Sequence, residues 1–377
     1  MKKFLSLAVA AFLTITAVPA HSAAIAAGQK CIKLNQSANS GGKKYVCVKS
    51  GNKLVWKAAP APKPKPTATQ AAVPTPTQTP EPVYATLWEK YKWSHKSKDD
   101  VIATSTNEFL TYISTQRSPN QVVKVVAQDG VDPILKKWVE DGANLVAHSF
   151  AYPALSGTFY DVIALDSTWL ASTYKAAGVP QNEIDGKVGA FNSGNPAFGG
   201  TINNTWNMKA INQNNLMVVD KAGMAQTAGH EFYHAIQENS ARTNPGPDGS
   251  QIPNWIWEGP AVFVGLQSAA KVGAISYLSE GRAAFLARYA NGNAINRTSP
   301  LSDIKANDGK IDPYAIGFAA TELIVANVGV EKFNNIYLEL GKGKSFSAAF
   351  ESATGVPLAD FYTMFEEVRG DLGFARS

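Results

Sequence analysis

The chain has 377 residues, of which 45% are hydrophobic and 17% are charged. This composition supplies one sizeable core with appendages and excludes several large domains. The net charge of +5 is uneven, because residues 1–84 carry a balance of +10 and residues 85–377 a balance of −5. The lysines of the front segment are not interleaved with aromatic residues, which argues against a nucleic-acid partner.

Residues 1–23 have the layout of a secretory signal peptide. Lys2 and Lys3 precede an apolar run from Phe4 to Val18, and small residues follow. A retained membrane anchor is the alternative, but the run is shorter than the roughly 20 residues that cross a bilayer. Later stretches do not read as long and apolar enough to span a membrane. We therefore expect a secreted protein, extracellular or associated with the cell envelope, with no membrane span after cleavage.

Residues 25–57 are predicted to form a small disulfide-closed β module. Cys31 and Cys47 are the only cysteines, and export brings such a pair into an oxidising compartment. We expect a disulfide, with two free thiols as the alternative. The turn Ser50-Gly51-Asn52 between two short apolar stretches predicts a hairpin. The basic charge could hold the protein noncovalently on anionic cell-wall polymers, although a solvated tail is the simpler interpretation.

Residues 58–84 contain eight prolines, which favours an extended linker before a body at residues 85–377. In the body, helices and strands alternate at first, and a strand over 216–219 precedes the helix that carries the main motif. Every later periodic segment predicts a helix. This order predicts an α+β fold with a small mixed sheet, a motif helix and a mostly helical second half. The predicted helices are 101–115, 133–146, 255–270, 275–289, 314–327, 331–340 and 358–368, and the predicted early strands are 122–126 and 159–165.

The segment from Thr227 to Gln237 contains the pattern His230-Glu231-Phe232-Tyr233-His234. Four residues make just over one helical turn, so both imidazoles project from one face of a helix toward one point, as a Zn²⁺ site requires. Glu231 lies off that face and can reach a water on the metal, which makes it a candidate general base.

Two histidines leave a tetrahedral zinc ion short of a protein ligand. Pro253-Asn254-Trp255-Ile256-Trp257-Glu258-Gly259-Pro260 follows the motif and predicts another helix, entered through Pro253 and with Pro260 in its first turn. Glu258 can be the third ligand if this helix packs antiparallel to the motif helix.

These two segments resemble the gluzincin metallopeptidases, the zincin group that contains thermolysin and aminopeptidase N. The resemblance covers residues 213–365 and implies a zincin-like fold, one Zn²⁺ per chain bound by His230, His234 and Glu258, and Glu231 as base. The exopeptidase signature of the aminopeptidase N relatives and the aspartate that follows the third ligand in thermolysin relatives are both missing. The group that orients an imidazole is therefore open, with a backbone carbonyl or Glu238 as candidates.

Three further expectations concern the surroundings of the site. Tyr314 opens a segment that resembles the tyrosine-bearing helix of such families, which implies an oxyanion donor; an ordinary packed aromatic is the alternative. His148 has no ligand-spaced partner, so we expect a buried or capping histidine. Residues 197–204 and 216–219 are strand-forming, and the resemblance to zincins implies that an edge strand there binds extended substrate, although Gly199-Gly200 could form a turn.

The resulting expectation is a secreted zinc peptidase that hydrolyses peptide bonds in a peptide or protein substrate. Two alternatives remain: a catalytically inactive zincin scaffold that binds the cell envelope, and a zinc hydrolase that acts on cell-wall material. Residues 84–121 could form a pro-segment, with a structural helix as the simpler interpretation.

Overall fold

The computed structural model describes residues 26–40, 43–59, 84–155, 158–194, 197–202, 206–212, 221–243, 251–291, 297–306 and 312–376, with the backbone alone at 197–202, 206–212 and 221–225. The chain divides into two compact units, Met1–Glu81 and Pro82–Ser377, and the division falls inside the segment predicted as a linker. The predicted signal peptide and nearly all of that linker lie outside the described residues.

The N-terminal unit is a three-stranded antiparallel sheet of β1 (Ser37–Ser40), β2 (Lys43–Ser50) and β3 (Lys53–Ala58). Its predicted disulfide between Cys31 and Cys47 is confirmed. The two cysteines form a small core with Trp56, which lies opposite Cys47 in the β2–β3 register. β1 is a strand that the sequence did not predict.

The body contains a four-stranded mixed sheet of β4 (Val122–Ala127), β5 (Thr158–Ala164), β6 (Ala197–Ile202) and β7 (Trp206–Asn212), in the order β4-β5-β7-β6. β4, β5 and β7 are parallel, whereas β6 is antiparallel to β7 and lies at the edge. The predicted α+β class with a mixed sheet is confirmed. Gly199 and Gly200 belong to β6 and not to a turn. β7 was not predicted, and the strand predicted over 216–219 lies outside the described residues.

The described helices of the body agree with most predictions, but Ser167–Ala176, Gln181–Asn192 and Phe346–Thr354 were not predicted, nor was the short helix that begins at Leu87. The helix predicted over 275–289 is instead a π-helical turn followed by an α-helix. The two helices predicted over 314–327 and 331–340 are confirmed, because the element Pro313–Gly341 is interrupted at Gly329, whose φ of 80° and ψ of 162° are not helical. The remaining helical elements are Leu87–Tyr91, Lys98–Ile113, Pro133–Ser149, Lys221–Ala241, Asn254–Lys271, Tyr277–Arg282 (π), Ala283–Asn291, Leu301–Asp303 (3₁₀), Pro313–Gly341, Leu358–Val368 and Gly370–Phe374 (π).

The helix Asn254–Lys271 runs through the middle of the main core, and its residues from Asn254 to Ala269 are all buried. A helix that is apolar on all sides is expected in such a position. It packs against the helix Pro313–Gly341 so closely that a Cβ on Gly317 would lie 2.2 Å from the Trp255 carbonyl oxygen. Only glycine permits this approach.

Two expectations need correction or refinement. Pro313–Gly341 has 29 residues and is long and apolar enough to cross a membrane, contrary to our expectation for later segments, although 78% of its most apolar window is buried inside the protein. Within the segment considered as a pro-segment, the helix Lys98–Ile113 places Val101, Phe109 and Ile113 in the main core. This burial supports the interpretation as a structural helix.

Candidate metal centre

The helix Lys221–Ala241, called the motif helix below, carries the paired histidines. Phe232, Tyr233 and Ile236 are completely buried and fix one side of this helix in the core. His230 and His234 are one turn apart, so their rings project to the same side, with 3.0 Å between the two Nε2 atoms. The spacing read from the sequence is therefore realised as a pair of converging nitrogens.

The helix Asn254–Lys271, called the Glu258 helix below, runs antiparallel to the motif helix. Near the start of the motif helix, Gln226 lies against Gly265 in the later part of the Glu258 helix. Near the end of the motif helix, the Gln237 side chain donates to the Trp257 carbonyl at the beginning of the Glu258 helix. This direction brings the Glu258 carboxylate to the histidines. Its Oε2 atom lies 3.2 Å from His234 Nε2 and 3.5 Å from His230 Nε2.

The three atoms fit a tetrahedral zinc ion. Zinc binds imidazole nitrogen and carboxylate oxygen at about 2.0–2.2 Å, so two ligands on a tetrahedron are separated by about 3.3 Å. The observed separations of 3.0, 3.2 and 3.5 Å bracket this value. Glu258 is buried, and its Oε2 atom has no hydrogen-bond partner among the described residues, an arrangement that suits a cation.

Electrostatics keeps the third candidate ligand charged. Burial raises the pKa of Glu258, but the neighbouring His234 and His230 lower it more, and the net pKa lies below the ordinary value for glutamate. A carboxylate that is ionised and buried between two imidazoles is a good ligand for a hard or borderline metal ion.

Glu231 belongs to the same cluster, in which ligand atoms of His230, Glu231 and His234 all lie within 4.8 Å of one another. The two distances from Glu258 to the histidines are shorter than this limit. Both carboxylates therefore lie within reach of a metal ion between the histidines, and their division into one ligand and one base stays a prediction from the sequence.

Aromatic rings cover both histidines. Tyr314 stacks on His230 with 6.1 Å between ring centroids and 15° between planes, and Trp257 stacks on His234 at 5.9 Å and 15°. Tyr314 is half-buried in the first turn of its helix, where its backbone N–H donates to the Asp312 side chain. The Arg288 guanidinium lies 4.7 Å above its ring. The structure thus places Tyr314 against His230, and its role as an oxyanion donor stays a prediction.

The residue that contacts the outer nitrogen of His234 is Gln237, which the sequence analysis missed. Gln237 Oε1 lies 2.7 Å from His234 Nδ1. Its Nε2 donates to the Trp257 carbonyl and to the Tyr337 hydroxyl, both at 2.9 Å. Glu238, the side chain considered from the sequence, is instead half-buried in the vicinity of Lys187. The sequence carried no signal for this contact, because the groups that hold Gln237 come from other helices.

The position of Pro260 differs from the prediction of a first-turn proline. The Glu258 helix begins at Asn254, so Pro260 is its seventh residue and lies inside the helix. A proline there cannot donate to the carbonyl of Ile256. The Tyr337 hydroxyl donates to that carbonyl at 2.6 Å and so replaces the missing hydrogen bond.

His148 lies at the C-terminal end of the helix Pro133–Ser149, where its Nε2 is 3.0 Å from the Gln121 carbonyl and its own carbonyl accepts from two backbone N–H groups. The structure thus places it as a helix-terminal residue, the alternative expected from the sequence. A cavity of about 990 Å³ near the C-terminal end of the motif helix is lined by Arg242, Lys305 and Lys344 among others, and it includes none of the candidate ligands.

Comparison with known proteins gives no assignment: no protein-family model, curated protein or solved structure matches the chain. The function of the chain is therefore inferred from the residues of this site.

Proposed function

We propose that the chain is a secreted zinc-dependent peptidase of the gluzincin type, with His230, His234 and Glu258 as ligands of one Zn²⁺ and Glu231 as general base. The observation that carries this proposal is the convergence of two imidazole nitrogens and one buried carboxylate oxygen within 3.5 Å, beside a second carboxylate. A catalytic zinc site uses three protein ligands and leaves a fourth position open, and this set provides three.

When bound, Zn²⁺ would polarise the scissile carbonyl and lower the pKa of a water in the open position. Glu231 then accepts the proton of the attacking water and passes it to the leaving amine, so that one carboxylate acts as base and later as acid. Tyr314 is the candidate donor to the oxyanion of the tetrahedral intermediate, since its ring stacks on His230.

The edge strand β6 is the proposed binding site for an extended substrate. The strand β6 packs against the motif helix, and it has a single partner, β7, in the described sheet. A peptide can add to a strand of this kind through backbone hydrogen bonds. An antiparallel edge strand beside an H-E-x-x-H helix supports the zincin-like fold that the sequence implied.

The N-terminal unit supports attachment to the cell envelope as part of the same proposal. Residues 26–59 contain seven lysines and no acidic residue. A unit with this charge attracts anionic polymers through long-range electrostatics that weaken with salt. Retention on an anionic cell-wall polymer, reversed by salt, is the expected observation for the full chain.

The proposal is tested by zinc content and peptide-library cleavage, measured on the secreted wild type and on Glu231→Gln. We expect one zinc per chain in both proteins and cleavage by the wild type alone, because the substitution removes the base and keeps the ligands. Glu238→Gln is the matched control, since it changes another half-buried glutamate of the motif helix and should leave cleavage unchanged.

Other outcomes separate the alternatives. Zinc without peptide cleavage, together with release of fragments from cell-wall material, would favour the hydrolase of another bond. Zinc without any hydrolysis would favour an inactive scaffold. A wild-type protein without zinc would overturn the assignment of the site.

A further inference from the structure

We propose that Gln237 is a positioning residue that holds His234 in the tautomer protonated at Nδ1, and so keeps Nε2 available for the metal. The inference rests on the proposed metal centre for its functional meaning, but the hydrogen-bond network that supports it lies within the chain. That network links the motif helix, the Glu258 helix and the helix Pro313–Gly341.

The direction of the network is set by the carbonyl of Ile256. Pro260 has no N–H, so this carbonyl cannot receive the usual helical hydrogen bond from the residue four positions later. The Tyr337 hydroxyl donates to it at 2.6 Å. Burial raises the pKa of Tyr337, which keeps this hydroxyl protonated and able to donate. The one proton of the hydroxyl is therefore committed to Ile256.

With its proton committed, the Tyr337 oxygen can only accept the hydrogen bond from Gln237, which lies 2.9 Å away. The Trp257 carbonyl is also only an acceptor, and it lies 2.9 Å from the same Gln237 nitrogen. The Gln237 amide nitrogen therefore donates one of its two N–H groups to each of these oxygens. A flipped amide would place its oxygen against two acceptors, so the orientation of Gln237 is fixed.

The fixed amide presents Oε1 to His234 Nδ1 at 2.7 Å. An oxygen at that distance requires a proton on the nitrogen, because two facing lone pairs would repel each other. A neutral imidazole with a proton on Nδ1 has an unprotonated Nε2, and this is the atom that faces His230 and Glu258. Gln237 and Tyr337 are both completely buried, so bulk water does not compete with either partner.

Pro260 and Gln237 therefore act on the same ligand. Pro260 leaves the Ile256 carbonyl, two residues before Glu258, without its helical hydrogen bond, and the Tyr337 hydroxyl donates to that carbonyl. The Tyr337 oxygen accepts from the Gln237 amide, which therefore presents its own oxygen to His234. Outer partners of metal-binding histidines commonly fix tautomer and ring orientation, and their loss weakens metal affinity about 10–100-fold.

The test uses full-length protein with ¹⁵N-labelled histidine, made metal-free by chelation and examined by NMR about two pH units above the ordinary imidazole pKa. We expect His234 of the wild type to be protonated at Nδ1. In Gln237→Met the proton should redistribute toward Nε2. Zn²⁺ affinity, measured by chelator competition, should fall about 10–100-fold. Tyr337→Phe should change the His234 tautomer and the Zn²⁺ affinity in the same direction as Gln237→Met but by a smaller amount, because the Trp257 carbonyl still accepts a hydrogen bond from the Gln237 amide.

Gln267→Met is the matched control. Gln267 is an equally buried glutamine on the Glu258 helix, and its amide donates to Thr106. It should change neither the His234 tautomer nor zinc affinity. If Gln237→Met does not fold, Tyr337→Phe provides the test.

A wild-type His234 protonated at Nε2, or a folded Gln237→Met with unchanged tautomer and affinity, would overturn the inference even if zinc binds. An Nδ1-protonated His234 that shifts in the variant, in a protein that binds no zinc, would uphold the network and overturn the proposed metal centre. The two failures are thus distinguishable.

Discussion

The two units of the chain are stabilised in different ways. The described core of the N-terminal unit consists of Cys31, Cys47 and Trp56. Residues 26–59 contain lysines but no acidic residue that could pair with them. The body has a core large enough to bury charged side chains, such as Glu322 and Arg282, which are 0% and 3% exposed. A covalent bond therefore replaces the missing core in the small unit, whereas the large unit can hold charges away from water.

The largest effect should come from breaking the buried ion pair of the body. Arg282 Nε lies 3.1 Å from both carboxylate oxygens of Glu322, which also accepts a hydrogen bond from Tyr277 at 2.7 Å. We expect Glu322→Gln to lower the free energy of unfolding by about 3–5 kcal/mol, because Arg282 would remain buried without a counter-charge. Urea denaturation of the body measures this loss.

An exposed pair provides the control. Lys137 lies 2.5 Å from Asp141, one helical turn away, and its side chain is 70% exposed. Lys137→Met should cost below about 0.5 kcal/mol, since water screens the pair. Burial raises the pKa of Glu322 despite the lowering effect of Arg282, so a double variant with leucine at 322 and methionine at 282 should be less destabilised than Glu322→Gln. A loss below about 1 kcal/mol for Glu322→Gln would contradict deep burial of the charge.

The next effect concerns the N-terminal unit. Replacing Cys31 and Cys47 with serine opens a loop with a sequence separation of 16 and should cost that unit about 3 kcal/mol. A core of three side chains cannot offset this loss, so the unit should unfold. Limited proteolysis of the full chain should then cut within residues 26–59, while the urea transition of the body stays unchanged. A protected unit would show that its stability has another source.

A third substitution tests the close packing around Glu258. A Cβ on Gly317 would lie 2.2 Å from the Trp255 carbonyl oxygen, a backbone atom that cannot rotate away. We expect Gly317→Ala to cost about 1–3 kcal/mol and to weaken zinc binding, because the Glu258 helix must shift. The control is Gly189→Ala in the helix Gln181–Asn192, where nothing lies within 4 Å. There alanine should stabilise by about 0.5–1 kcal/mol. If both variants changed the free energy of unfolding in the same direction, the close packing at Gly317 would be contradicted.

The sequence predicted those parts of the fold that local periodicity determines. The strands β4 and β5 and the helices from Pro133, Asn254 and Leu358 were expected near their observed bounds. The helix Gln181–Asn192 was missed because Gly186 and Gly189 lower its helix propensity, while the burial of Ile184 and Phe191 compensates. The helix Ser167–Ala176 had a visible signal, since Asp166 caps it by accepting from Trp169 N–H.

The sequence likewise named the side chains that converge at the site but not those that orient them. His230, His234 and Glu258 could be chosen from helical spacing and ligand chemistry. Gln237 could not, because its partners Tyr337 and Trp257 come from other helices and become neighbours only after packing. Pro260 was placed in a first turn although a helix that starts at residue 255 already puts it in the second turn, and its effect on Ile256 was therefore overlooked.

The smallest effect contrasts a paired surface acid of the body with the lysines of the N-terminal unit. Lys342 and Lys344 bond the Glu339 carboxylate and lower its pKa from 4.5 to about 2. Since the folded-state pKa is lowered, this contribution to stability is complete above about pH 4.5 and is lost as the pH falls toward 2. The difference in thermal stability between the wild type and Glu339→Gln should therefore be constant at neutral pH, shrink below about pH 4.5 and decrease with added salt. An NMR titration of the Glu339 carboxyl with a midpoint near 4.5 would mean that water separates it from the two lysines, and the surface of the body would then resemble the solvated lysines of residues 26–59.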